Sequence, residues 1–144
     1  METGLIAIEI AARIHSVPMD LQSVRKKYFV ERELSPAEMI RILRDHGFKA
    51  RHRQIAGLEE LKGYPLPQIL LAPEGGYHVL IGMKEGKCLI FDTGQKAIRE
   101  VDEAGLGGLW SGEVVALRPR FRQTEFAGSF KWLFMEFFRF RSIF

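Results

Sequence analysis

GGYHVLIGMKEGKCLIFD, residues 75–92, is the stretch whose reading decides the fold. Val, Ile, Leu and Phe crowd two runs, Tyr77–Met83 and Cys88–Asp92, on either side of Lys84-Glu85-Gly86-Lys87. Short runs rich in β-branched and aromatic residues, broken by a turn with a late Gly, predict a hairpin. His78 opens the first strand and Asp92 closes the second. A three-residue turn would set the two opposite each other, with Cβ atoms about 5 Å apart, close enough for a carboxylate to orient an imidazole. A four-residue turn slips the register by one and separates the faces. A His held by an Asp is two members of a nucleophilic triad, so the rest of the chain is read for a third.

Upstream, Thr3–His15 (TGLIAIEIAARIH) predicts a helix. Ile6, Ile10 and Ile14 form one i, i+4 row, Ala7 and Ala11 lie beside it, and Leu5, Ile8 and Ala12 lie further round. Only Glu9, Arg13 and His15 are polar, so the helix should be deeply buried. Its N-terminus, where backbone N–H groups are free and the dipole is positive, is a common seat for a nucleophile. Here that seat holds Glu2, Thr3 and Gly4. Asp20 predicts the cap of a short helix, Leu21–Tyr28. Ser35-Pro36-Ala37-Glu38 combines an N-cap Ser, a Pro at the first helical position and a Glu three residues after the cap. That third helix should run to about His46, end at Gly47, and turn Met39, Ile40 and Leu43 inward.

The period then changes. Lys49–Ile55, carrying Arg51 and Arg53, predicts a strand. Leu58–Lys62 predicts one helical turn, and Pro65–Leu71 a buried strand. After the hairpin, Ala97–Val101 and Glu113–Leu117 predict two more strands, with a Gly-broken turn at Leu106–Trp110 between them. Helices first and an antiparallel sheet afterwards is an α+β layout. Arg118–Arg122 (RPRFR) reads as the start of a linker spanning 119–129. Residues 130–144 (FKWLFMEFFRFRSIF) form an amphipathic segment with Phe130, Leu133, Phe134, Phe137, Phe140 and Phe144 on one helical face. With four charges it does not span a bilayer. The expected reading is a membrane-proximal segment, lying in the interface or leading towards a first transmembrane helix, with the membrane as a partner through its continuation; the plainer alternative is a helix packed on the domain's own surface.

The totals narrow the class. A chain of 144 residues with 47% hydrophobic content builds one domain with a real core. A net charge of +3 does not by itself call for nucleic acid. One cysteine, Cys88, excludes a disulfide framework and a Cys-based metal cluster. It sits in an apolar strand without a helix N-terminus behind it, the setting of a small core residue rather than a reactive thiol. His15, His46 and His52 lack metal-ligand spacing and read as surface or helix-end residues. No metal site is expected. The opening METGLIAIEI has no basic leader and no small-residue cleavage site.

Taken together, Thr3-Gly4-Leu5 before IAIEIAARIH, then Gly76-Tyr77-His78-Val79-Leu80, then Ile90-Phe91-Asp92 resemble the papain-like, bacteriocin-processing cysteine peptidase domain at the N-terminus of some bacterial ABC exporters. SPAEMIRILRDHGFKAR resembles that family's middle helix and following strand. The resemblance spans residues 1–118, the expected peptidase-like domain, and implies a papain-like α+β fold with N-terminal helices on an antiparallel sheet. In that family a Cys-Gly motif starts the buried helix, and a His and an Asp follow on successive strands. Thr3 stands at the Cys position, and His78 and Asp92 stand at the other two.

The departures point away from catalysis. A Thr hydroxyl ionises far less readily than a thiol and cannot form the Cys–His ion pair. The family also places a Gln a few residues before its Cys to hold the oxyanion, whereas Met1 and Glu2 are the residues before Thr3. Losing one such donor typically costs about 10²–10³ in rate. The pattern resembles the degenerate peptidase-like domains of haemolysin-type exporters, the inner-membrane ABC proteins of type I secretion. That resemblance implies a non-catalytic domain on the cytoplasmic side of the bacterial inner membrane. It would bind unfolded secretion substrate, a repeat-containing (RTX) toxin or adhesin, near the export channel. Arg118, Arg120, Arg122, Arg139 and Arg141 fit the cytoplasmic-side positive charge expected before a first transmembrane helix. Further partners would be the transporter's own transmembrane and nucleotide-binding domains, with no nucleic acid. No cofactor is expected in this domain, which has no GxxxxGK[ST] loop; ATP and Mg²⁺ are expected for the full-length transporter.

Candidate substrate-binding residues are Tyr77 and His78, beside the vestigial cleft that Gly75-Gly76 and Tyr64 would also border, and Arg51 and Arg53. Each has a plainer reading. His78 and Asp92 could simply hold the hairpin together, and the two arginines could form a solvated face. Two other function classes stay open: an active leader-type peptidase using a non-Cys nucleophile such as Thr3 exposed as an N-terminal residue, and a structural appendage contacting the transporter's nucleotide-binding domain.

Overall fold

The computed structural model describes residues 2–120. The rest of the expected linker and the segment 130–144, with Arg122, Arg139 and Arg141, lie outside the described residues. Three helices come first: α1 (Thr3–Ile14), α2 (Leu21–Lys27) and α3 (Pro36–Asp45). Then follow β1 (Phe48–Gln54), the single turn α4 (Leu58–Leu61), β2 (Gln68–Leu71), β3 (Tyr77–Lys84), β4 (Lys87–Asp92), β5 (Ala97–Asp102), the single turn α5 (Glu103–Leu106) and β6 (Glu113–Pro119). The six strands make one antiparallel sheet in the order β1-β6-β2-β3-β4-β5, with the last strand inserted between the first two.

α1 lies against β2 and β3. Leu5, Ala7, Ile8, Ile10, Ala11, Ala12 and Ile14 are all buried, and Glu9 and Arg13 pair at 3.0 Å on the remaining open face. Each large aliphatic side chain so buried contributes roughly 1.5–3 kcal/mol. α3 begins in a full capping box: the Ser35 hydroxyl accepts from the Glu38 N–H at 3.2 Å, and the Glu38 carboxylate accepts from the Ser35 N–H at 2.8 Å. Its inward stripe is Met39, Ile42 and Leu43, with i, i+3, i+4 spacing; Ile40, expected inward, lies about 100° round and is only half-buried.

The hairpin departs from both expected turns. Lys84 pairs with Lys87, so the loop is only Glu85-Gly86, with φ of 51° and 77° as a type I′ turn requires. Carried on unbroken, that register would set His78 opposite Thr93. A one-residue bulge at Ile81 corrects it: Gly82 pairs with Leu89 before the bulge and Leu80 with Ile90 after it. The pair Val79–Phe91 then brings His78 level with Asp92.

The sheet has a core on each face. Tyr77, Val79, Ile81, Phe91, Phe48 and Ala50 pack under the three long helices. Leu70, Leu80, Cys88, Ile90, Val101 and Val114 form a second core with Leu61 of α4 and Leu106 of α5. The helix layer was expected and the second core was not. Near β1 none of the described helices covers that second face.

His15 corrects a sequence expectation. It caps α1 but is buried, 5% exposed, with its ring 5.6 Å from that of Phe48. Burial lowers its pKa from 6.5 to about 4. His46, by contrast, ends α3 with Nδ1 2.7 Å from the Ile42 carbonyl, and exposed His52 reaches Glu113 at 2.9 Å. Because unfolded His15 takes up its proton near 6.5 and the folded residue near 4, the unfolded chain binds more protons in between. Stability is therefore full above pH ~6.5 and falls as pH drops towards ~4, by on the order of 3 kcal/mol from this group. Urea unfolding across that window should show the loss, and His15→Leu should flatten it. Buried His78 adds to the same trend, so the readout is the difference between the two profiles; parallel profiles would refute the assignment.

Candidate functional site

The N-terminus of α1 meets the start of β3. Thr3 is its first residue and is buried. Its Oγ1 accepts from the Tyr77 N–H at 2.9 Å and donates to Glu33 Oε2 at 2.6 Å. The same carboxylate accepts from the Thr3 N–H at 3.0 Å and from the Gly4 N–H at 2.6 Å. One side chain from the segment between α2 and α3 thus closes the helix N-terminus, where a negative charge is favoured by the helix dipole. Two glycines make the fit. A Cβ on Gly4 would stand 3.1 Å from Glu33 Oε1 and 3.2 Å from Met39 Sδ, and one on Gly76 would stand 3.1 Å from Thr3 Oγ1. Gly76 is therefore what lets the strand backbone come close enough for Tyr77 to donate.

His78 and Asp92 come close without forming the expected pair. His78 Nδ1 is 3.8 Å from Asp92 Oδ1, beyond hydrogen-bond distance. Nδ1 instead accepts from the Thr93 N–H at 3.2 Å, which leaves the ring proton of the neutral imidazole on Nε2. Thr93 is fixed in turn by its hydroxyl, which donates to the Tyr77 carbonyl at 2.5 Å. Asp92 turns elsewhere. Its Oδ1 accepts from the N–H groups of Gly94 and Gln95 at 2.9 and 3.1 Å, and its Oδ2 accepts from Arg99 at 3.1 Å.

The electrostatics follow from these contacts. Burial lowers the pKa of His78 and outweighs the upward pull of Asp92 and Glu74. Burial pushes the Asp92 carboxyl up, but Arg99, the two backbone donors and His78 together hold it below its usual value. Among the described residues the Thr3 hydroxyl has Glu33 and the Tyr77 N–H as hydrogen-bond partners, and the imidazole is not one of them. Cys88 lies in the second core, where burial raises its thiol pKa. Among the described residues no cluster of three or more His, Cys, Asp or Glu side chains could hold a metal, and no helix is long and apolar enough to cross a membrane.

The candidate binding residues fall in two places. Tyr77 is 2% exposed under the helices, with its hydroxyl donating to the Leu34 carbonyl at 2.6 Å; burial raises its pKa. Tyr64 packs with the core on the other face, so the two tyrosines do not border one cleft. Arg51 and Arg53 are exposed on β1, with β6 and β2 lying between them and β3. Sequence reasoning missed Glu33, Thr93 and Arg99. Asp92-Thr93-Gly94-Gln95 carried a readable Asx-turn signal, but nothing local marks Glu33, which meets Thr3 only through the tertiary fold.

Comparisons with known proteins agree with this architecture. The family model for the peptidase C39 family matches residues 1–122. The cyclolysin secretion/processing ATP-binding protein CyaB of Bordetella pertussis is 31% identical over 117 residues, 79% of this chain but only 16% of that protein. Among solved structures, a double glycine motif protease from an AMS/PCAT transporter, in complex with its leader peptide, superposes with a TM-score of 0.74 at 18% identity, covering 82% of this chain and 84% of that one. The peptidase C39-like domain of a toxin secretion ATP-binding protein from Vibrio parahaemolyticus gives 0.69 at 14% identity, covering 83% and 98%. The papain-like α+β fold is thus shared with N-terminal peptidase domains of ABC exporters, and the chain belongs to the peptidase C39 family.

Proposed function

We propose that this chain is the N-terminal, non-catalytic peptidase-like domain of a type I secretion ABC transporter. On the cytoplasmic side of the bacterial inner membrane it binds an unfolded secreted polypeptide and recruits it to the export channel. The observation that carries this reading is the Glu33 carboxylate on the N-terminus of α1. Acyl transfer at this position needs a nucleophile on the first residue and free N–H donors beside it for the oxyanion. Thr3 supplies a hydroxyl in place of a thiol. Glu33 fills both backbone donors with a negative charge, where a second developing negative charge would be repelled. His78 spends its Nδ1 acceptor on Thr93, so it is not poised to take a proton from Thr3. Kinship with a secretion/processing exporter and the likeness to a leader-peptide-bound domain support a polypeptide as the ligand.

Three outcomes follow. Thr3→Cys alone should not cleave a double-glycine leader peptide, because Glu33 still occupies the donors. Adding Glu33→Gln should raise the alkylation rate of the new thiol by roughly tenfold at neutral pH, the effect of about one pKa unit. Cleavage by the single variant would show that Glu33 does not block the site. In an NMR titration, the chemically unfolded C-terminal fragment of a repeat-containing secreted protein should shift backbone amides, and the same fragment folded by calcium should not. Absence of shifts with either form would refute the recruiting role.

A further inference from the structure

The second face of the sheet carries a feature that the vestigial site does not use. Phe48 and Ala50 of β1 are buried on the helix side, so strand alternation forces Lys49, Arg51 and Arg53 onto the opposite face. On β6, Arg118 pairs with Lys49 and joins them. With Arg44 and Arg120, these side chains line a groove of about 540 Å³ whose lining contains no Asp or Glu. Among the described residues none of the six forms an ion pair, whereas Arg13, Arg25 and Arg99 elsewhere are each matched by a carboxylate. Six unmatched cations in one concavity repel one another and draw in an anionic ligand.

Two further observations narrow the ligand. Gln68, on the groove lining, is 1% exposed; its Nε2 donates to the Pro65 carbonyl, but its Oε1 has no partner among the described residues. A buried carbonyl oxygen without a donor carries a desolvation cost that an incoming N–H would relieve. A phosphate group has no N–H to give, whereas a polypeptide side chain reaching across β6 does. The groove also runs along β1, which is an edge strand. The Ala50 carbonyl is turned outward and accepts from Arg44 at 3.1 Å, so alternation turns the backbones of exposed His52 and Gln54 outward too. An extended chain can pair with such an edge.

We propose that this groove seats an extended acidic stretch of polypeptide, its carboxylates on the arginines and its backbone along β1. The inference rests on the recruiting role and, of the candidate binding residues, sites recruitment at Arg51 and Arg53 rather than at Tyr77 and His78. It is tested by fluorescence anisotropy with the full chain and a labelled Asp/Gly-rich peptide of about ten residues, long enough to cover the strand. Binding is expected, weakening at least about tenfold when every Asp is replaced by Asn, and by a similar factor in Arg51→Glu/Arg53→Glu. Lys49→Glu/Arg118→Glu should act alike, and circular dichroism should report all variants folded. Equal affinity for the Asp and Asn peptides would overturn the proposal. So would equally tight, variant-sensitive binding of single-stranded DNA or of phosphatidylglycerol vesicles, which would make the groove a phosphate or membrane site. If the unfolded secreted fragment binds but is indifferent to both double variants, the groove is wrong and recruitment stands. If neither the fragment nor the acidic peptide binds, both readings fail.

Discussion

The buried N-terminus of α1 is the constraint on which the rest depends. A helix apolar around most of its circumference must be covered, and covering it takes its first N–H groups out of water. Unpaired, each would cost about 1–3 kcal/mol. In a thiol peptidase that cost is offset by function, because free donors beside a nucleophile hold the oxyanion. Here Glu33 satisfies the Thr3 and Gly4 N–H groups and the Thr3 hydroxyl together. The helix end is thereby closed by a side chain of the same domain, and the Tyr77 N–H ties it to the sheet.

The hairpin is held by internal contacts of the same kind. A two-residue turn alone would misalign His78 and Asp92, and the bulge at Ile81 realigns them. Yet the realigned carboxylate anchors the Gly94-Gln95 turn and Arg99, and the imidazole accepts from the Thr93 backbone. His78 and Asp92 share a register without sharing a hydrogen bond. The side-chain hydrogen bonds that the two residues make run to the turn after β4 and to Arg99 rather than to each other.

Much of the fold was legible because it rests on local periodicity. The apolar face of α1, the Ser35–Glu38 capping box and the alternating strands are short-range patterns, and element ends moved by only a few residues. Sheet order was not legible, since the insertion of β6 between β1 and β2 depends on long-range pairing. His15 was misread for a related reason: a helix-end histidine looks exposed until the neighbour that covers it, Phe48, is placed by the tertiary fold. The site was half legible. Thr3, His78 and Asp92 could be named from motif order, but Glu33 lies thirty residues from Thr3 in sequence and meets it only after folding.

The two faces of the sheet divide the chemistry. On the helix-side face, among the described residues, Tyr77, Thr3 and Glu33 are spent on one another and on backbone groups. Among the described residues the other face near β1 is the reverse, with cations unmatched, a buried amide oxygen unpartnered and a strand edge uncovered. Under the proposed recruiting role, a polypeptide would be recognised where charge and hydrogen-bonding capacity remain. Alternation along β1 is what puts them there: the residues that bury Phe48 and Ala50 under the helices force Lys49, Arg51 and Arg53 outward onto the open face.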